Sequence, residues 1–280
     1  MESNDRIHLL WIGSQLSLLE KLCLASFVSH GYSCWLWAYD SRLSSQVAAG
    51  VVLKDASEVL PESEVFYYTH GNEFGHGKGS YAGFSDLFRY KVLYEYGGWW
   101  SDLDITCLRR LPEGEPYVFR NHDVLPVVGN LMKVPPRSPL MQACYERTLR
   151  TVHAENRDWL LPIRILNEEI ERLGLSAFRQ NFTNPDRWEY IRFFRLHQSG
   201  IPDRWRAFHW MNEEWRTRHL SKEEVYAGSF LHHLCIRFNI PVKSLKPPPG
   251  YFQRGINYLK MKWISRIPHP VRLALKRLIG

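Results

Sequence analysis

Two aspartates two residues apart, Asp102 and Asp104 in WWSDLDI, are the residues of this sequence that most directly suggest chemistry. Read as a strand, the segment points residues i and i+2 to the same face, so the two carboxylates converge. Like charges so placed need a cation between them. Hard divalent ions such as Mg²⁺ and Mn²⁺ take oxygen ligands and keep positions open for phosphate oxygens. The pair therefore suits a metal that bridges the protein to a diphosphate. Upstream, SDLFR sets Asp86 and Arg89 three residues apart, neighbours on one face of a helix. Each feature alone also has a plain structural explanation. The D-x-D is equally a solvated acidic turn. Asp86 and Arg89 are equally a surface ion pair, contributing at most about 1 kcal/mol.

The elements around these residues read as an α/β chain. Residues 6–13 form an opening strand. Residues 16–31 follow as a helix, with Leu18, Leu22, Ala25 and Val28 on one side and Gly31 as the stop. Strands are expected at 32–40 and 51–56, and a short extended or helical piece at 62–70. This alternation argues for a mostly parallel sheet with helices on its faces, which binds nucleotides at the carboxyl ends of its strands. The Gly-rich stretch HGNEFGHGKGSYAG is a loop holding His70 and His76, and it does not match the P-loop pattern. A helix then buries Phe84, Leu87, Phe88, Val92, Leu93 and Tyr96, and Gly97 and Gly98 turn the chain into the D-x-D strand. Further on, strands are expected in YVFR and VVGNLMKV. Helices are expected from Ser138, from Arg157 to Leu173 and from Ser221 to Phe238, with extended pieces around EYIRFFRL. KPPPG at 246–250 is a break.

Composition excludes several classes. The net charge is +7, but residues 241–280 carry nine basic and no acidic side chains, so the other 240 residues are close to neutral. That body does not look like a nucleic-acid binder. The five cysteines are scattered and include no C-x-x-C pair, a pattern of free thiols in a reducing compartment. No signal peptide or membrane span is read in the sequence, so a cytoplasmic location is expected.

The order SDLFRYKVLYEYGGWWSDLDI resembles the core signature of the DXD-motif sugar transferases of glycosyltransferase family 32, of the bacterial capsule and lipopolysaccharide type. It also resembles the catalytic domains of the large glucosylating toxins. The resemblance implies a GT-A-type nucleotide-sugar-binding fold over residues 1–240 and retaining transfer of a sugar from a nucleotide-sugar, UDP-linked in preference, to a saccharide or lipid-linked saccharide acceptor. It implies Mn²⁺ or Mg²⁺ held by Asp102, Asp104 and His209, the last in FHWMNEEWR. It also implies donor contacts from Trp11, Ile12, Gly13, Ser85, Asp86, Arg89, Asn130 and Asn212, with Trp11 stacking on the base. Taken from the residues alone, Trp11 is equally a core side chain and His209 a satisfied buried histidine. His232 and His233 read as structural. A protein-glucosylating effector, or a non-catalytic sugar- or nucleotide-binding protein of the same fold, would share the donor motifs.

Residues 241–280 read as a basic amphipathic tail. Ile256, Leu259, Trp263 and Ile267 fall at helical spacing among Lys260, Lys262 and Arg266, and VRLALKRLIG forms a second basic piece. That pattern fits a helix lying on an anionic membrane surface, where each basic residue contributes about 1 kcal/mol. The alternative is that the segment packs on its own domain.

Overall fold

A computed structural model describes residues 5–72, 76–268 and 271. In chain order its elements are β1 (Arg6–Trp11), α1 (Leu18–Ser29), β2 (Ser33–Ala38), β3 (Val51–Asp55), α2 (Ala82–Tyr96), β4 (Gly98–Ser101), β5 (Ile105–Cys107), β6 (Val118–Asn121), β7 (Val127–Val134), α3 (Pro139–Thr151) and α4 (Leu161–Arg172). There follow β8 (Arg179–Gln180), α5 (Trp188–Leu196), β9 (Ala207–His209), α6 (Asn212–Thr217), β10 (Glu224–Tyr226), α7 (Phe230–Arg237), β11 (Ser244–Lys246) and α8 (Tyr251–Arg266). Among the described residues the main sheet runs β3-β2-β1-β4-β7-β6-β8. Its pairs are parallel except β4–β7 and β7–β6. It is the mostly parallel α/β sheet, of GT-A type, that the resemblance implies.

Strand alternation divides the core between the two faces. Ile7 and Leu9 of β1 and Trp99 of β4 pack toward α1, α5 and α7. Leu10, Trp37, Trp100 and Met132 pack toward α2, α3 and α4. Because both faces are covered, the central strands read as near-continuous apolar runs. At the N-terminus of α1, Ser17 accepts from the Leu19 N–H while Glu20 accepts from the Ser17 N–H, a capping box.

The Gly97–Gly98 turn sets where β4 begins. Both residues have positive φ, and a Cβ on Gly97 would lie 2.4 Å from the Pro136 nitrogen. No other residue fits there. Buried His8 secures the turn from the neighbouring strand. Its Nδ1 accepts from Trp37 Nε1 at 3.0 Å, so Nε2–H donates to the Gly97 carbonyl at 3.1 Å. Burial and nearby Arg6 lower its pKa to about 3, and it is neutral.

Several elements differ from the sequence expectations. The D-x-D is not on a strand: Asp102 follows β4, and Asp104 sits in the turn before β5. EYIRFFRL is helical, as α5, because its aromatic residues pack with Trp205, Phe208 and Phe230 in a cluster that overrides their strand propensity. The segment 221–238 holds a short strand, β10, before α7. Gly228, with φ of 69°, breaks it, and Ser229 caps a new helix.

Helix α8 is seated on α5. Asn257 and Met261 are buried, Asn257 Nδ2 lies 3.0 Å from His197 Nε2, and Arg254 donates to the Gln198 carbonyl. The opposite side is bare: Phe252 is 85%, Leu259 67% and Trp263 64% exposed. The second basic piece, beyond Val271, lies outside the described residues. No helix among the described residues is long and apolar enough to cross a membrane.

Candidate active site

Each aspartate of the D-x-D has its own protein cation. For Asp102 it is Arg89, on α2. Arg89 Nη2 donates to Asp102 Oδ1 at 2.7 Å, and Nη1 donates to Asp86 Oδ1. Trp100 Nε1 donates to the same Asp102 oxygen at 2.7 Å, and the Arg89 guanidinium lies 5.1 Å from the Trp100 ring centre. Asp86 and Arg89 are both buried, so the pair is not the surface ion pair that spacing alone allowed. Burial raises the Asp86 carboxyl to about 6 in spite of Arg89. Strand β7 passes so close that a Cβ on Gly129 would lie 2.5 Å from Arg89 Nη1. Asp102 itself keeps a third of its side chain exposed, and its backbone N–H donates to the Asn130 carbonyl at 2.8 Å.

For Asp104 the cation is His209, at the end of β9. His209 Nε2 lies 3.3 Å from Asp104 Oδ2, and Nδ1 lies 2.7 Å from Asp186 Oδ1. Burial alone would lower the imidazole pKa. The two carboxylates outweigh burial and raise it to about 10, so both ring nitrogens carry protons. Burial would raise Asp104, but His209 and the Asn212 backbone N–H, at 2.7 Å from Oδ2, bring it below the ordinary carboxylate range. Its other oxygen, Oδ1, is buried and has no hydrogen-bond partner among the described residues.

The relay continues through residues that sequence reasoning missed. Arg120, buried on β6, grips Asp186 with two N–H groups at 2.5 and 2.8 Å and donates Nε to Thr183. Arg120 and His209 hold Asp186 well below the ordinary range although burial acts the other way. Asn184 clamps the His209 backbone, accepting from its N–H and donating to its carbonyl. Asp186 and Asn184 lie in the irregular segment NFTNPD, where spacing carries no signal. Asn130, buried on β7, accepts from Arg120 and sets Nδ2 within 3.4 Å of both His209 nitrogens.

The remaining candidates stand around this centre in different ways. Trp11 ends β1, next to β4 in the sheet. It is half-buried, with Nε1 donating to the Gln15 carbonyl and Lys222 over its ring. Ile12 is half-buried and Gly13 exposed beside it, and Ser85 is half-buried on α2. Asn212 enters through its backbone N–H. His70 and His76 engage Glu155 and Glu214. His232 accepts from the Gly228 N–H, a local structural role.

A divalent ion fits the oxygens left over. Asp104 Oδ1 is an orphaned buried acceptor, and Asp102 Oδ2 has no hydrogen bond among the described residues. No group of three or more His, Cys, Asp or Glu forms a protein-only cage among the described residues. An ion that takes one or two carboxylates and completes its shell with phosphate oxygens and water needs no such cage.

Residues 28–123 match the family model described as a glycosyltransferase sugar-binding region containing a DXD motif. The match spans Asp86, Arg89, Asp102 and Asp104 and stops before Asn130, Asp186 and His209. No curated protein matches the chain. Among solved structures, the PaToxG glycosyltransferase aligns with a TM-score of 0.45 and 14% identity over 60% of this chain and 68% of that one. The chain thus carries a glycosyltransferase-like, DXD-containing sugar-binding region.

Proposed function

We propose that the protein is a metal-dependent, retaining glycosyltransferase that moves a sugar from a nucleotide-sugar, UDP-linked in preference, to a saccharide or lipid-linked saccharide acceptor in cell-surface polysaccharide synthesis. The observation that carries this reading is the pair of carboxylates at the carboxyl edge of the sheet, each fixed by its own protein cation and each keeping one oxygen without a hydrogen-bond partner among the described residues. Mn²⁺ or Mg²⁺ on Asp102 and Asp104 would neutralise charge on the departing diphosphate.

The chain's own residues hold that geometry. Arg89 acts through Asp102: pinned by Asp86, it fixes the rotamer of the carboxylate and leaves Oδ2 outward. Trp100 holds the same oxygen from the strand below. His209, fixed by Asp186 and Asn184, does the same for Asp104, so neither carboxylate must reorganise when ligand arrives. Trp11 and Gly13, at the end of the adjoining strand, would contact the nucleotide.

The bare side of α8 favours a site of action at a membrane. Phe252, Leu259 and Trp263 face away from the body amid Lys260 and Arg266, which suits the cytoplasmic face of an anionic bilayer and an acceptor on a lipid anchor.

The test is a screen of UDP- and GDP-sugars for hydrolysis with Mn²⁺ or Mg²⁺. One donor is expected to be cleaved, and EDTA to abolish cleavage. Cleavage undiminished by EDTA would remove the metal, and no cleavage of any donor would remove the transferase.

A further inference from the structure

A cavity of about 430 Å³ opens on the far side of the Asp104–His209–Asp186 relay. It lies where β6 and β8 end, with Trp205 in its wall, and its volume is in the range of small-molecule pockets, about 300–1,000 Å³. Three arginines line it: Arg120, Arg179 and Arg204. Two carboxylates line it as well, and both are already paired. Asp186 is held by Arg120 and His209, and Asp123 accepts from Arg187 Nε at 2.6 Å. Arg120 is fully engaged, but the other two arginines are not. Arg179 donates one Nη to Ser176 Oγ, pairs with the exposed Glu171 at 3.5 Å and leaves its buried Nε without a hydrogen bond among the described residues. Arg204 is exposed and makes no hydrogen bond or ion pair among the described residues. The cavity therefore holds positive charge that the protein neutralises only in part, with Arg204 left without a carboxylate partner among the described residues.

The strand order gives this charge a place in the reaction. β1, with Trp11 at its end, lies on one side of β4, and β6 and β8 lie on the other beyond β7. Asp102 and Asp104 stand between the two. A nucleotide on the β1 side and a second substrate on the β6–β8 side would meet at the D-x-D. Guanidinium groups only donate, and their planar fork matches a carboxylate or a phosphate. The exposed amides of Asn121 and Asn181 offer both donors and acceptors for ring hydroxyls.

We infer that this cavity is the acceptor subsite and that it selects a saccharide bearing an anionic group, either a sugar carboxylate or a phosphate ester. The inference rests on the transferase reading above. The experiment is calorimetric titration of the metal-free full chain with glucuronate, inorganic phosphate and neutral methyl glucoside. Wild type, Arg204→Gln and the Arg179→Gln/Arg204→Gln double variant are compared, with circular dichroism as the folding control. At least one acid is expected to bind at least tenfold more tightly than the glucoside, and to weaken at least tenfold in the double variant. Donor hydrolysis, which uses water as acceptor, should stay within twofold. Glucuronate binding alone assigns a carboxylate, and phosphate binding alone a phosphate ester. Acid binding unchanged in the folded double variant, or matched by the glucoside, overturns the inference. So does displacement of the bound acid by UDP with Mn²⁺, which would make the cavity part of the donor site. Absence of donor hydrolysis in the wild type counts against the transferase reading and leaves the binding comparison intact.

Discussion

Asp102 and Asp104 are held by different cations, so their substitutions should fail differently. Asp102→Asn keeps an oxygen for Arg89 and Trp100 but loses a negative charge. The expected result is native circular dichroism with donor hydrolysis reduced about 100-fold, the scale of one lost preorganised contact. Asp104→Asn removes charge from a largely buried relay and leaves His209 with Asp186 alone, so both hydrolysis and the urea midpoint should fall. Arg89→Ala goes further. It leaves Asp86 buried without its cation, which costs about 3–5 kcal/mol in urea unfolding. An unchanged midpoint would show that the bridge carries no structural load. The motif of these three aspartates and one arginine was legible because it is local in sequence. What each does was not. Spacing puts Asp86 beside Arg89, but only the fold brings Arg89 to Asp102 and His209 between Asp104 and Asp186. The resemblance put His209 at the site as a ligand, and the structure sets its ring between the Asp104 and Asp186 carboxylates.

Among the elements, β1 and β7 do the positioning and can be tested through one residue each. His8 on β1 has a folded pKa near 3 against about 6.5 unfolded, so its stabilising effect is full above the unfolded value. It is lost as pH falls toward 3. Between pH 7 and pH 5 the loss amounts to about 2 kcal/mol. Asp86, raised to about 6, acts in the opposite sense, gaining stability as pH falls, so the measurement is a difference. Wild type should lose more stability over that interval than His8→Gln by about that amount in urea. Equal losses would mean that His8 titrates normally. On β7, Gly129→Ala should push Arg89 off its bridge and lower both stability and hydrolysis, whereas Gly200→Ala, where a Cβ meets nothing within 4 Å, should change neither. The first strands and α2 were readable because periodicity and glycine stops agree there. After residue 180 they conflict: the aromatic run of α5 has strand propensity and helical burial, and Gly228 hides a strand and a helix in one apolar stretch.

For the molecule as a whole, helix α8 in the basic end of the chain is part of the body on one side and bare on the other. Sequence spacing grouped Leu259 with Trp263 as an apolar face, and the structure turns that face outward while Asn257 and Met261 anchor the helix on α5. Deleting the helix would uncover the core at Met261, so point changes make the cleaner test. Trp263→Ala with Leu259→Ala should leave the melting temperature within a few degrees and reduce sedimentation with anionic liposomes at low salt several-fold. Lys260→Gln with Arg266→Gln should reduce the salt dependence of that binding. Retained binding in both variants would place the membrane contact elsewhere.

The relay also has a consequence for the order in which ligands load. Four carboxylates, Asp86, Asp102, Asp104 and Asp186, are interleaved with three cations, Arg89, His209 and Arg120, so the cluster keeps a single net negative charge. A dication entering alone gains little attraction and reverses the sign of the cluster. A dication entering with a diphosphate brings its own counter-charge. Metal and nucleotide should therefore bind as mutual prerequisites: Mn²⁺ affinity, followed by paramagnetic relaxation, should rise at least tenfold when UDP is present, and UDP affinity should rise by the same factor with Mn²⁺.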